Sequence, residues 1–193
     1  MEKIRKAGEN DKKDVIDCVL DAFQKDFSGF INNVGIEKVR NFLEDILNID
    51  CFYIIESEQE LIGAMALSDI NGRVAYNIKK SAQKHFGFLM GWLIYIVNFR
   101  EFEINHCESN DTGFIEFVAI KQKFQGKGHA PLLIKNVMNE KKCKKYLLDV
   151  VDTNLSAIKC YSRMGFSEVK REKTKFGVLK EFNENIFMEY EMR

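Results

Sequence analysis

The sequence predicts an α/β fold, and two observations carry that reading. Strand-like runs rich in β-branched and aromatic residues alternate along the chain with segments whose apolar residues recur at helical spacing. The 193 residues, 46% hydrophobic and 30% charged, suffice for one domain with a full core, and they are too polar for a mostly membrane-buried chain and too apolar for intrinsic disorder. A single proline and scattered glycines leave no linker, so residues 1–193 are expected to form a single domain.

The first strand is expected around Lys3–Lys6. Asn10 and Asp11 are N-cap candidates for a helix with Asp14 in its first turn, and Val15, Ile16, Val19, Leu20 and Phe23 recur along its face. Val39, Phe42, Leu43, Ile46 and Leu47 mark a second helix. Cys51–Ile55 and Leu61–Leu67, joined by the polar turn Glu56–Glu60, read as a β-hairpin. Residues 71–112 then break the rhythm with a polar helical stretch (Ala75–Lys84), a charge-free run (Phe86–Phe99) and a charged exit (Arg100–Asp111). Structureless loops of that length are uncommon in compact domains, so an inserted helical segment is expected. A strand follows at Gly113–Ile120, then a glycine-containing turn and a helix to about Glu140. A strand at Tyr146–Asp152, a short helix at Leu155–Met164 and strands near Glu168–Lys175 and Ile186–Met192 complete the order.

Composition narrows the classes of partner. Lys plus Arg and Asp plus Glu both number 29, so no global charge points to nucleic acid. The charge-free run Phe86–Phe99 has 14 residues, short of the about 20 a bilayer span needs. The N-terminal stretch lacks the apolar core of a signal peptide. Five cysteines without a Cys-x-x-Cys pair exclude a fully paired disulfide framework and offer no zinc-ligand spacing, so no metal is expected and the setting reads as cytoplasmic. Charge is nevertheless uneven. Residues 1–60 carry a net −6, whereas residues 121–145 carry eight lysines against Glu140, a net +7. That cluster is either a solvated helix face or a field for a polyphosphate ligand.

The adjoining turn favours the second reading. A β-branched strand runs into Gln125-Gly126-Lys127-Gly128-His129-Ala130, and an amphipathic helix follows directly. Glycines let several backbone N–H groups converge without Cβ interference, and the first amides of a helix have no intrahelical partner and sit at the positive end of its dipole. Pro131 cannot lie deep in the helix, which should therefore start no earlier than about Lys127 or Gly128. The turn is neither a P-loop nor a dinucleotide fingerprint. It matches the Gln/Arg-x-x-Gly-x-Gly/Ala motif of the GNAT superfamily of N-acetyltransferases. Downstream, Leu148, Val150, Asn154, Ala157, Tyr161 and Gly165-Phe166 resemble that family's second block, Leu-x-Val, Asn-x-x-Ala-x-x-x-Tyr and Gly-Phe. The resemblance is specific over about residues 113–168. Gln122 stands where the family often has Pro, and His129 where it often has a small residue.

The resemblance implies a mixed, mostly antiparallel sheet with flanking helices and, here, a helical insertion before the fourth strand. It implies acetyl-CoA as co-substrate, with Gln125, Gly126, Lys127, Gly128, His129 and Ala130 around its pyrophosphate, His129 acting through its backbone. Val118, Ala119 and Ile120 would meet pantetheine through backbone groups on a strand that splays from its parallel neighbour. Asn154 would help to seat the cofactor, although it is an equally good N-cap for the helix that contains Ala157. Tyr161 would protonate the departing thiolate, or fill core beside Ala157 and Ile158.

Acetyl transfer also needs a neutral amine. An alkylamine is uncharged in only about one molecule in 2,500 at pH 7, a handicap of about 4.6 kcal/mol that a carboxylate base can relieve. Two acids interrupt apolar strands, Glu116 and Asp149. Strict alternation puts Glu116 on the face of Val118 and Ile120, and Asp149 opposite Leu148 and Val150. Either is a candidate base. Phe86, Phe88, Leu89, Trp92, Leu93, Tyr95 and Ile96 crowd the inserted helix, to be buried against the sheet or a second copy in a homodimer, or to form a lid over the acceptor. The acceptor itself, a small-molecule or a protein amine, is left open. A coenzyme-A-binding regulatory module without turnover is the alternative, and transfer of a longer acyl group a third reading.

Overall fold

A computed structural model of the chain describes residues 2–58, 60–174 and 182–192. Seven strands form one sheet: β1 (Lys3–Lys6), β2 (Phe52–Ser57), β3 (Glu60–Ser68), β4 (Thr112–Ile120), β5 (Lys145–Val151), β6 (Ser167–Lys173) and β7 (Glu184–Glu191), in spatial order β1-β2-β3-β4-β5-β7-β6. Among the described residues only β4 and β5 pair in parallel, and the other five pairings are antiparallel. The expected mixed, mostly antiparallel sheet is what the chain forms. Gln59, within the expected hairpin turn, and Lys175, at the expected end of β6, lie outside the described residues.

Helices α1 (Lys12–Ala22), α2 (Gln24–Val34) and α3 (Ile36–Ile46) follow β1. In α3, Val39, Phe42, Leu43 and Ile46 are all buried, as their spacing predicts. They pack with Val15, Ile16 and Val19 of α1 on one face of the sheet. The opposite face is covered by α6 (His129–Lys141) and α7 (Leu155–Met164), whose Leu133, Ile134, Val137 and Tyr161 meet Met65, Ile115, Tyr146 and Leu148. Truncating any of these large buried side chains to Ala costs about 2–5 kcal/mol.

The sequence reading missed α2, although Phe27, Phe30, Ile31 and Val34 all pack against the α1/α3 core at helical spacing. At the start of α1, Asp11 does not cap the helix through its side chain. Its carboxylate accepts from Arg5 at 2.7 and 2.8 Å and from the Gly8 amide at 2.8 Å.

The insertion is helical, as expected: α4 (Ile78–Phe86), α5 (Phe88–Ile94), a π-helical turn (Tyr95–Phe99) and a 3₁₀ turn (Arg100–Glu103). Gly91 lets α5 cross α4, because a Cβ there would lie 2.3 Å from the Ala82 carbonyl oxygen. The expected burial of the apolar run holds for one side only. Gly91, Ile94, Val97 and Phe99 are buried, but Phe88 and Leu89 are 74% and 78% exposed, and Met90, Trp92 and Leu93 also face outward. A helix this short, held at one contact line, covers only the side that touches its neighbour. Among the described residues no helix is long and apolar enough to cross a membrane.

Candidate active site

Parallel pairing of β4 with β5 runs from Thr112↔Lys145 to Ile115↔Leu148 and stops there. From Glu116 on, β4 keeps partners on β3 alone, so the two strands part in the middle of the sheet. At this point β4 also carries a bulge. Ala64 pairs with Ala119 but Ala66 with Glu116, which inserts one extra residue into β4, and Phe117 takes φ 48°. The bulge overturns the alternation argument for Glu116. Ile115, Val118 and Ile120 pack towards α6 and α7, whereas Phe117 and Ala119 pack towards α1 and α3, and Glu116 turns to that second side with Ser68.

Glu116 is 6% exposed. Its two carboxylate oxygens have different partners: Ser68 Oγ donates to Oε2, and Arg73 Nη2 donates to Oε1 at 3.1 Å. Burial pushes the carboxyl up to about 7, against the opposing pull of Arg73 and Ser68, and the charge of Asp149 adds to the rise. Asp149 is exposed on β5, opposite in facing to the buried Leu148 and Val150, as expected. The structure therefore couples the two carboxylates electrostatically but gives them different environments, one dry and braced, the other wet.

Residues that sequence reasoning did not single out surround Glu116. Arg73 lies just before α4 and also donates from Nη2 and Nε to the Phe102 carbonyl oxygen at 2.9 and 3.3 Å. Its guanidinium carbon sits 5.6 Å from the centre of the Phe114 ring. His106 packs on Phe114 and Phe187, with ring centres 4.6 and 5.4 Å apart, and burial lowers its pKa. The two ends of the insertion thus meet β3, β4 and β7 beside Glu116, where the rings of His106, Phe114 and Phe187 pack together.

Tyr161 lies on the other side of the sheet, on α7. It is 8% exposed and sits in the core with Ile158, Ala157 and Phe166, the last at a ring distance of 6.1 Å. Burial drives its phenol far above its ordinary pKa, with Cys160 and Asp149 adding to the effect, so the hydroxyl keeps its proton throughout the working pH range. Asn154 caps α7, its Oδ1 accepting from the Ala157 amide at 3.1 Å.

The glycine turn adopts the conformation its composition requires. Gly126 and Gly128 have φ 73° and 85°, and a Cβ built on either would meet nothing within 4 Å, so open space faces the backbone. Helix α6 begins at His129, in keeping with the limit set by Pro131, and no side chain caps it. Its first amides are thus presented to an incoming anion. Gln125 braces the turn, its Nε2 donating to the Ile120 carbonyl oxygen at 2.9 Å. The His129 ring is turned away to Glu2, with Nδ1 3.2 Å from the carboxylate, which leaves its backbone at the turn. Lys127 donates to the Lys123 carbonyl at 3.0 Å. The lysine field is narrower than composition implied, because Lys123, Lys144 and Lys145 pair with Glu60, Asp111 and Glu189. Among the described residues no His, Cys, Asp and Glu cluster could hold a metal.

The chain is similar to known proteins in sequence and in fold. Over 115 residues the chain is 27% identical to the spore coat polysaccharide biosynthesis protein SpsD of Bacillus subtilis, an alignment covering 58% of this chain and 35% of that protein, so the likeness spans about a third of the relative. Among solved structures, an N-acetyltransferase from Staphylococcus aureus Mu50 superposes with a TM-score of 0.63 at 14% identity, over 97% of this chain and all of the other. The PaiA N-acetyltransferase of Thermoplasma acidophilum, crystallised with coenzyme A, gives 0.59 at 15% identity, over 100% and 99% of the two chains. At such identities these structures establish the fold. The model of the acetyltransferase (GNAT) family matches residues 17–166, a stretch that contains the turn, the splayed strands, Glu116 and Tyr161. The chain belongs to the GNAT family of acetyltransferases.

Proposed function

We propose that this chain is a single-domain, acetyl-CoA-dependent N-acetyltransferase that acetylates a primary amine by direct attack of the amine on the thioester. The observation that carries the reading is the parting of β4 and β5, with a backbone anion cradle at one end and a dry, braced carboxylate at the other. Gly126, Lys127, Gly128, His129 and Ala130 would hold the pyrophosphate through main-chain amides, with Gln125 fixing the turn. Backbone groups of Val118, Ala119 and Ile120 and the helix end at Asn154 and Ala157 would hold the pantetheine arm. Bound there, acetyl-CoA supplies an activated acetyl group.

The chain's own residues handle the protons. Glu116 is the better of the two candidate bases, because a carboxyl lifted to about 7 can take a proton from an amine at neutral pH, whereas exposed Asp149 lacks that environment. Asp149 acts through its field. Tyr161, protonated across the working range, is the donor to the departing thiolate. The aromatic cluster of His106, Phe114 and Phe187 beside Glu116 suits an amine with an apolar or aromatic body.

A panel of primary amines, scored by release of free coenzyme A, tests this reading against the non-catalytic alternative. Turnover with at least one amine class is expected, with acetyl-CoA preferred over longer acyl donors. Silence across the panel, despite saturable acetyl-CoA binding, would favour a coenzyme-A-binding module.

A further inference from the structure

We propose that Arg73 is a positioning residue that ties the helical insertion to the ionisation of Glu116, so that the insertion serves as part of the base rather than only as a wall of the acceptor site. The inference rests on the reading of Glu116 as the base and goes beyond it by assigning a role to the insertion.

The geometry is specific. Arg73 stands at the entry of the insertion and Phe102 near its exit, 29 residues later, and the guanidinium closes the segment by donating twice to the Phe102 carbonyl oxygen. The same Nη2 that makes the shorter of these bonds, at 2.9 Å, reaches Glu116 Oε1 at 3.1 Å. The second carboxylate oxygen is held by Ser68, and Ser68 Oγ in turn accepts from the Val74 amide at 3.0 Å, the residue after Arg73. Both oxygens of Glu116 are therefore wired to the first residues of the insertion. The Arg73 and Glu116 side chains are 14% and 4% exposed, so solvent screens the pair weakly. Arg73 Nη1 is buried with no hydrogen-bond partner among the described residues. A group arriving beside Glu116 could use that donor.

Facing Glu116 are Ser68 from β3, Arg73 from the insertion entry, Asp149 from β5, Cys107 from the insertion exit and Cys51 from the turn before β2. Of these, Arg73 is the one that carries positive charge. Without it, the hydrogen bond from Ser68 is left to oppose burial and Asp149, and the carboxylate form is depleted at neutral pH. The single bond from Nη2 to Oε1, with that from Ser68 to Oε2, also fixes the oxygens' direction, and a lysine could not donate to Glu116 and the Phe102 carbonyl in the same planar geometry.

The test compares Arg73→Gln, Arg73→Lys, Ser68→Ala and Glu116→Gln with the parent in pH profiles of kcat/KM for the best amine of the panel. Arg73→Gln should move the acid limb up by about 1–3 pH units while leaving the acetyl-CoA Kd within a factor of about two. Arg73→Lys should recover part of the shift. If Arg73→Gln does not fold, Arg73→Lys and Ser68→Ala read the same limb, with smaller upward shifts expected. An acid limb unmoved in the folded Arg73 variants, with Glu116→Gln inactive, overturns the role of Arg73 and leaves the base intact. A Glu116→Gln enzyme as active as the parent overturns both.

Discussion

The glycine turn offers a perturbation in which charge can be separated from backbone strain. Gly128 has φ 85° and open space where a Cβ would stand, so Asp and Asn fit there without collision and tolerate the left-handed conformation at a similar cost of about 1 kcal/mol. The two side chains have nearly the same shape and differ by one charge. If the turn holds a pyrophosphate, the carboxylate of Gly128→Asp lies about 5 Å from two phosphate charges. At an effective dielectric of about 40–80, each such pair costs about 0.8–1.7 kcal/mol, or about 1.7–3.3 kcal/mol together. Gly128→Asp should therefore bind acetyl-CoA about 15- to 250-fold more weakly than Gly128→Asn at low salt, and the gap should shrink as salt screens the charges. Isothermal titration calorimetry on both variants, with thermal melts to match their stabilities, reads the difference. Equal Kd values for the two variants, both close to the parent, would remove the turn from the site.

Three further outcomes are expected. Tyr161→Phe keeps the buried ring and deletes only the hydroxyl, so it should bind acetyl-CoA normally and lose about 10²–10⁴-fold in kcat; turnover within a factor of about three of the parent, with chemistry limiting, would make Tyr161 plain core. Asn154→Ala removes the acceptor of the Ala157 amide and should cost about 1 kcal/mol, a fall of about 2–4 °C in Tm without acetyl-CoA, and an unchanged Tm would rule out the cap. Asp149→Asn should keep activity within about tenfold of the parent and move the acid limb of kcat/KM down, because Asp149 raises the Glu116 pKa; a loss as large as that of Glu116→Gln would reverse the choice of base.

What could be read in the sequence is what local chemistry dictates. The glycines at 126 and 128, the limit set by Pro131, the cap at Asn154 and the buried face of α3 all act over a few residues, and the structure has them as expected. Helix α2 was equally legible in Phe27, Phe30, Ile31 and Val34, but Gly29 and the Asn32-Asn33 pair obscured the period. The bulge at Phe117 was not legible. It arises from register against β3, a partner some fifty residues away, and it moves Glu116 to the opposite face from the one alternation assigns. Arg73 carries no local signal at all: a lone arginine in a polar loop acquires its role from contacts with residues 29 and 43 positions distant. The exposed side of α5 shows the converse failure, since hydrophobic content around the whole helix predicts burial while the fold supplies a partner on one side only.

The central claim is that Glu116, held dry at the point where β4 and β5 part, takes the proton of the acceptor amine. The pH dependence of kcat/KM for the parent and for Glu116→Gln, measured with two amines of different pKa, tests it most directly. A limb set by the acceptor moves with the amine, whereas one set by the enzyme does not. An acid limb near pH 7 common to both amines is expected, with the carboxylate active above it, and in Glu116→Gln the loss of that limb together with about 10²–10⁴-fold of the rate. A Glu116→Gln enzyme that keeps the limb and turns over within a factor of about three of the parent would contradict it.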